Sequence, residues 1–238
     1  MIKQNVYFII FLTFLPIFGL SQSAINQMDE NGKRHGKWSK NFEGTKEIRY
    51  EGQFEHGKEV GVFKFYQLVG KVSKLAATKE FNEKDGSAYV KFLSLKGNVI
   101  SEGRMMGKTY IGKWVYYHKN SDQIMTEEHF NSKGELHGLR TVYYDNGQKA
   151  EVANYENGKL HGDSRYYSQD GVLIKSYIYE NDELHGMSKH FDGNGVITVE
   201  GPYKRGKKTG IWSYYKNGEL QEEKDFTYVA KFKNKNKN

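Results

Sequence analysis

The sequence predicts an all-β chain: an elongated, single-layer, twisted antiparallel sheet built from about eight tandem β-hairpins. Three observations predict it. Glycines recur at nearly even spacing, at Gly36, Gly61, Gly86, Gly112, Gly138, Gly162, Gly186 and Gly210, with intervals of 25, 25, 26, 26, 24, 24 and 24 residues. A fixed period in that range marks a repeat architecture, in which each unit buries its face only against its neighbours. Most of these glycines are followed by an aromatic-rich stretch with strand-like alternation, and in the later copies by a turn dipeptide. Finally, nothing between residues 30 and 226 sustains helical periodicity, and Pro202 is the only proline there.

Taken in order, the chain opens on a leader. Lys3 supplies a positive start, Val6 to Phe18 is apolar apart from Thr13 and Pro16, and Gly19-Leu20-Ser21 offers small residues for cleavage. Residues 1–21 therefore read as a secretory signal peptide, with an apolar run too short for a comfortable membrane span. The chain has no cysteine, hence neither disulfides nor a lipobox. A secreted or periplasmic mature protein is expected. Residues 22–30 read as a linker, 31–226 as the repeat array, and 227–238 as a disordered Lys/Asn-rich tail.

Within the array the motif is clearest late. Leu184-His185-Gly186 precedes His190-Phe191, Asn194-Gly195 and Val196-Ile197, and closes on Tyr203; the next copy reads Gly206 to Gly210, Trp212, Tyr214-Tyr215, Asn217-Gly218, Leu220 and Phe226. The alternation and aromatic content favour strands. Asn146-Gly147, Asp170-Gly171, Asn194-Gly195 and Asn217-Gly218 tolerate positive φ and predict tight type I′ hairpin turns. The longer Gly-Lys-x-x-Gly stretch then leads into the next hairpin. Its landmark glycine is expected to supply a backbone conformation that valine avoids. The copy around Gly86 is the weakest, lacking both the Gly-Lys lead and the aromatic pair.

Charge and reactive residues point away from nucleic acid and from catalysis. The formal charge is +7, but Lys3, Lys231, Lys233, Lys235 and Lys237 lie in the leader and tail, leaving 31 basic against 29 acidic residues in the body. A nucleic-acid binder would concentrate that charge on one face. His35, His137, His161 and His185 each precede a landmark glycine, which spaces them one per hairpin, too far apart for metal ligands; a loop histidine bonding backbone is expected. Glu51, Glu102, Glu127, Glu200 and Glu223 are repeat-locked too, and read as cross-strand partners of lysines. No segment has the form of a nucleophile elbow or a phosphate loop. No enzyme, cofactor or metal is expected.

The pattern Gly-Lys-x-x-Gly-x-Trp-x-Tyr-Tyr, then Asn-Gly, then an acidic residue before an aromatic, resembles the MORN repeat, and more closely its bacterial variant in YwqK-like proteins described as antitoxins. The resemblance covers about Asn31 to Phe226. It implies an elongated twisted sheet with a groove along one side. The expected function is an exported, non-catalytic scaffold that holds a protein or peptide on its aromatics. The alternatives are a surface carbohydrate-binding module and an antitoxin or immunity-type protein. The candidate partner-binding aromatics are Trp114, Tyr116, Tyr117, Tyr143, Tyr144, Tyr166, Tyr167, Trp212, Tyr214 and Tyr215. Because side chains alternate across a strand, the two members of each Tyr-Tyr pair are expected on opposite faces.

Overall fold

The computed structural model describes residues 24–227; the expected leader, 1–21, and residues 228–238 of the expected tail lie outside the described residues. Nineteen strands among the described residues form one antiparallel sheet, with no helix. The long strands pair in sequence order, Arg34–Asn41 with Ile48–Glu55, that strand with Lys58–Val69, and so on to Glu219–Asp225, while the two-residue strands Glu183–Leu184 and Lys207–Lys208 pair only with the strand before them. The chain is a meander, as the repeat predicts.

The two kinds of turn exchange the roles expected of them. The tight two-residue turns are those of the Gly-Lys stretch. Glu156 pairs with Lys159 around Asn157-Gly158, and Lys204 pairs with Lys207 around Arg205-Gly206. Both central residues are left-handed there, at φ 49° and 83° and at φ 51° and 74°, which is the type I′ requirement. Most Asn-Gly turns are wider. Around Asn146-Gly147, the Tyr144 amide donates to Gln148 O at 2.8 Å and the Gly147 amide to Tyr144 O at 3.0 Å, with only the glycine left-handed (φ 82°). That is a type I turn closed by a left-handed residue. Of the four predicted I′ dipeptides, only Asn217-Gly218 has both residues left-handed.

All eight landmark glycines have φ between 59° and 93°. The reason is visible in the pairing. Gly103 faces Trp114 while Arg104 faces Ile111, so Gly112 and Lys113 are extra residues on the leading strand. A bulge of this kind bends the strand and needs a left-handed residue. At Gly186 (φ 71°) a Cβ would also lie 3.2 Å from Ile178 Cδ1. Gly186→Val is therefore expected to cost about 1–3 kcal/mol. Hydrogen exchange should quicken around Gly186 while amides near Gly61 stay protected; quickening throughout the chain would contradict a nearest-neighbour array.

The core is a line along one face. Phe63, Trp114 and Trp212 are buried, and each ring lies against a glycine of the preceding hairpin: Gly52, Gly103 and Gly201. A Cβ on any of those glycines would fall 2.4–2.6 Å from the ring. These three have no left-handed φ, so their role is close approach. The sequence carried a signal for them: each directly follows one of the repeat-locked glutamates, as Glu51-Gly52, Glu102-Gly103 and Glu200-Gly201.

Part of the expected 22–30 linker is structured. Gln27–Met28 pairs with His35 and Arg34, and Trp38 Nε1 donates to Gln27 O at 3.1 Å. Trp114 Nε1 donates in the same way to Arg104 O (2.8 Å), and Trp212 Nε1 to Pro202 O (3.1 Å). Gln27 thus stands where Arg104 and Pro202 stand in later units, and this segment takes the place of a return strand. It pairs along the edge of the strand that opens the first landmark hairpin. At the other end, Glu219–Asp225 is exposed throughout and carries four carboxylates, a charged edge that discourages pairing with copies of itself.

Candidate functional site

The sheet has two chemically distinct faces. On one, the repeat-locked glutamates form a ladder. Glu51 accepts from Tyr66 Oη at 2.7 Å and faces Lys64 Nζ at 3.4 Å. Glu102 pairs with Lys91 (3.2 Å) and accepts from Tyr117 Oη. Glu127 takes Lys113 (2.5 Å) and Tyr143 Oη (3.2 Å), and Glu200 takes Lys189 (3.1 Å) and Tyr215 Oη (2.9 Å). The expected lysine partners are present in these four, with a tyrosine of the following hairpin added. Glu223 departs and accepts from Ser213 Oγ at 3.1 Å.

The titration behaviour follows from these contacts. The Tyr66 hydrogen bond, opposed by burial and helped by Lys64, holds the Glu51 carboxyl below its ordinary value. Burial first, then Glu51, pushes the Tyr66 hydroxyl up to about 12. The ladder satisfies its own polar groups, so its tyrosines are tied to the sheet.

The opposite face holds the aromatic line, and it changes character along its length. Through Phe130 it is a packed seam: Trp114 stacks on Tyr110 at 4.1 Å, flanked by Phe92 and Phe130, over Val90 and Met105. From the next hairpin, the place taken by Phe63, Trp114 and Trp212 falls to Arg140, Ser164 and Ser188, two residues after their landmark glycines. Arg140 is held by Glu128 (3.1 Å) and Glu151 (3.0 Å). Ser164 and Ser188 are small and buried, and Ser164 Oγ has no hydrogen-bond partner among the described residues.

Tyrosines spread over these small residues. Tyr177 lies opposite Ser164 and makes edge contacts with Tyr166 (6.1 Å) and Tyr179 (6.2 Å). Its hydroxyl is 3.0 Å from His190 Nε2. Tyr155 and Tyr203 extend the patch on either side, all five tyrosines being half-buried. Burial, then Tyr166 and Tyr177, pushes the Tyr179 hydroxyl up to about 12. Burial, then Lys175 and Lys208, holds His190 below the ordinary histidine value. The result is a continuous amphipathic surface of rings, hydroxyls and one imidazole.

Two sequence-predicted binding residues are corrected. Trp114 and Trp212 are 0 % and 1 % exposed, flat against Gly103 and Gly201, and cannot touch a partner. The tyrosine pairs split between faces. Tyr116, Tyr166 and Tyr214 share the aromatic face, whereas Tyr117, Tyr143 and Tyr215 enter the glutamate ladder. Tyr144 donates to Tyr167 O at 2.8 Å. The sequence reading missed Tyr155, Tyr177, Tyr179, Tyr203 and His190 as one surface. Tyr155, Tyr179 and Tyr203 share one repeat position before the landmark glycine, but period alone does not reveal which rings lose their tryptophan cover.

The histidine row meets expectation only in part: His35 Nδ1 accepts from the His56 amide at 3.5 Å. His185 Nδ1 is 3.0 Å from Glu180, and His161 Nε2 is 3.7 Å from Glu156, so these imidazoles meet carboxylates where backbone was expected. Among the described residues no group of three or more His, Cys, Asp or Glu side chains could hold a metal ion.

The family model described as MORN repeat variant matches residues 136–159 and 184–205, two segments that contribute to the tyrosine-rich stretch. No curated protein matches the chain.

Proposed function

This chain carries repeats of the MORN variant family, and on that premise we propose an exported, non-catalytic binding protein that holds a protein or peptide partner on the tyrosine-rich stretch of its aromatic face. MORN repeats are commonly involved in binding, and the family is typically non-enzymatic. The leader read in residues 1–21 supports export.

The observation that carries the reading is the continuous patch of Tyr155, Tyr166, Tyr177, Tyr179 and Tyr203 over Ser164 and Ser188. Tyrosine offers a large, rigid, amphipathic contact area at low entropic cost, and interfaces are enriched in it. On the opposite face the hydroxyls of Tyr66, Tyr117, Tyr143 and Tyr215 are already committed to glutamates of the chain.

The test is partner capture by the native protein and its variants in the host's exported fraction. Tyr177→Ala is expected to weaken capture by about 1–2 kcal/mol, the scale of an aromatic anchor at an interface. Tyr117→Ala, on the ladder face, should leave it unchanged. Loss with Tyr117→Ala but not with Tyr177→Ala would move the site to the other face, and retention of polysaccharide in place of protein would make the partner a glycan.

A further inference from the structure

We propose that the partner presents an acidic segment, whose carboxylates seat among Lys175, His190 and Lys208; this rests on the reading of the tyrosine face as the binding surface. Within the sheet, Lys175 lies directly opposite His190 on the adjacent strand, on the face that carries Tyr177. One hairpin further on, Lys208 pairs with Tyr203 on the same face. Its Nζ stands 3.8 Å from the Trp212 ring centroid, 5.3 Å from that of Phe226, and 3.4 Å from Tyr214 Oη. Aromatic faces attract a cation without neutralising it.

Elsewhere on the sheet, several cations turned toward neighbouring strands find carboxylates of the chain, while Arg34 and Lys79 lie over aromatic rings. Lys64, Lys91, Lys113 and Lys189 meet the four ladder glutamates, and Arg140 on the tyrosine face meets Glu128 and Glu151. Lys175 and Lys208 form no ion pair among the described residues. The carboxylates that share their face are engaged, Glu151 by Arg140 and Glu222 by Lys224 at 3.1 Å. The repeat sharpens the point. The place of Lys175 on its return strand is filled by Glu151 in the preceding hairpin and by Glu222 in the last, and by no other basic residue in any copy. A position that supplies negative charge in two units supplies positive charge here, beside a histidine.

Both lysines act on His190, whose pKa is lowered by burial and then by each of them. The three donors thus share one electrostatic neighbourhood bordered by the Tyr177 and Tyr214 hydroxyls. A carboxylate there would gain two cations and hydroxyl donors, while the rest of its segment lies over tyrosine rings. Complementarity of this kind sets partner choice and register.

The test is a titration of the full-length protein with a fluorescent oligoglutamate peptide, with oligolysine and a heparin oligosaccharide as comparisons. Oligoglutamate is expected to bind and oligolysine not to. Lys175→Gln and Lys208→Gln should each weaken oligoglutamate about fivefold, the size of one partly exposed ion pair. Lys175→Arg should retain binding, and Lys113→Gln, on the ladder face, should match the parent. No oligoglutamate binding, equal losses in Lys175→Gln and Lys113→Gln, or Lys175-dependent binding of heparin alone would each overturn the assignment. If Tyr177→Ala abolishes capture of the natural partner while Lys175→Gln does not, the tyrosine face stands and the acidic partner falls. If neither variant affects capture, both readings fall.

Discussion

Trp114→Ala is expected to lower the unfolding free energy by about 3–5 kcal/mol, the range for deleting a buried tryptophan. Trp114 is fully buried at the centre of the seam, stacked on Tyr110 and flanked by Phe92 and Tyr116. Its Nε1 donates to Arg104 O at 2.8 Å, so the substitution also deprives that carbonyl of a partner. Collapse around the hole is limited, because the residue beneath the ring is already glycine. Urea denaturation would give the magnitude. A loss below about 1 kcal/mol, the scale of an ordinary substitution, would mean that this ring is not a keystone of the array.

Gly103→Ala tests the same contact from below and is expected to cost about 1–3 kcal/mol through overpacking. The added Cβ would fall 2.6 Å from the indole, so the ring must move. Since Gly103 has no left-handed φ, the cost is steric, unlike that of Gly186→Val. A double-mutant cycle separates the two: once Trp114→Ala has removed the ring, Gly103→Ala should cost almost nothing further. Additive losses would show that Gly103 acts through the backbone instead. The chain contains its own control at Ala153, which is fully buried between Arg140 and Ser164 on the neighbouring strands. Where no indole overlies the position, a methyl group fits.

Much of this architecture was legible because local rules repeat. The landmark glycines, the alternation around Trp212 and Tyr214, and the split of Tyr116 from Tyr117 across the sheet follow from chirality and the two-residue period of a strand. The return strand at Gln27–Met28 escaped because no landmark glycine precedes it at the repeat spacing. The turn types were exchanged because Asn-Gly is compatible with either loop length, and pairing of the flanking strands selects between them.

What the sequence determined by itself is the period, the all-β meander and the parity of each side chain, since these depend on residues close in the chain. The tertiary structure alone decided which parity is the core, because that depends on a ring in one hairpin meeting a glycine in the one before it. It also decided that Trp114 and Trp212 are structural and that Ser164 and Ser188 yield their cover to tyrosines. Lys175, His190 and Lys208 come together for the same reason. They lie on three separate strands, and only the lateral stacking of hairpins brings those strands side by side.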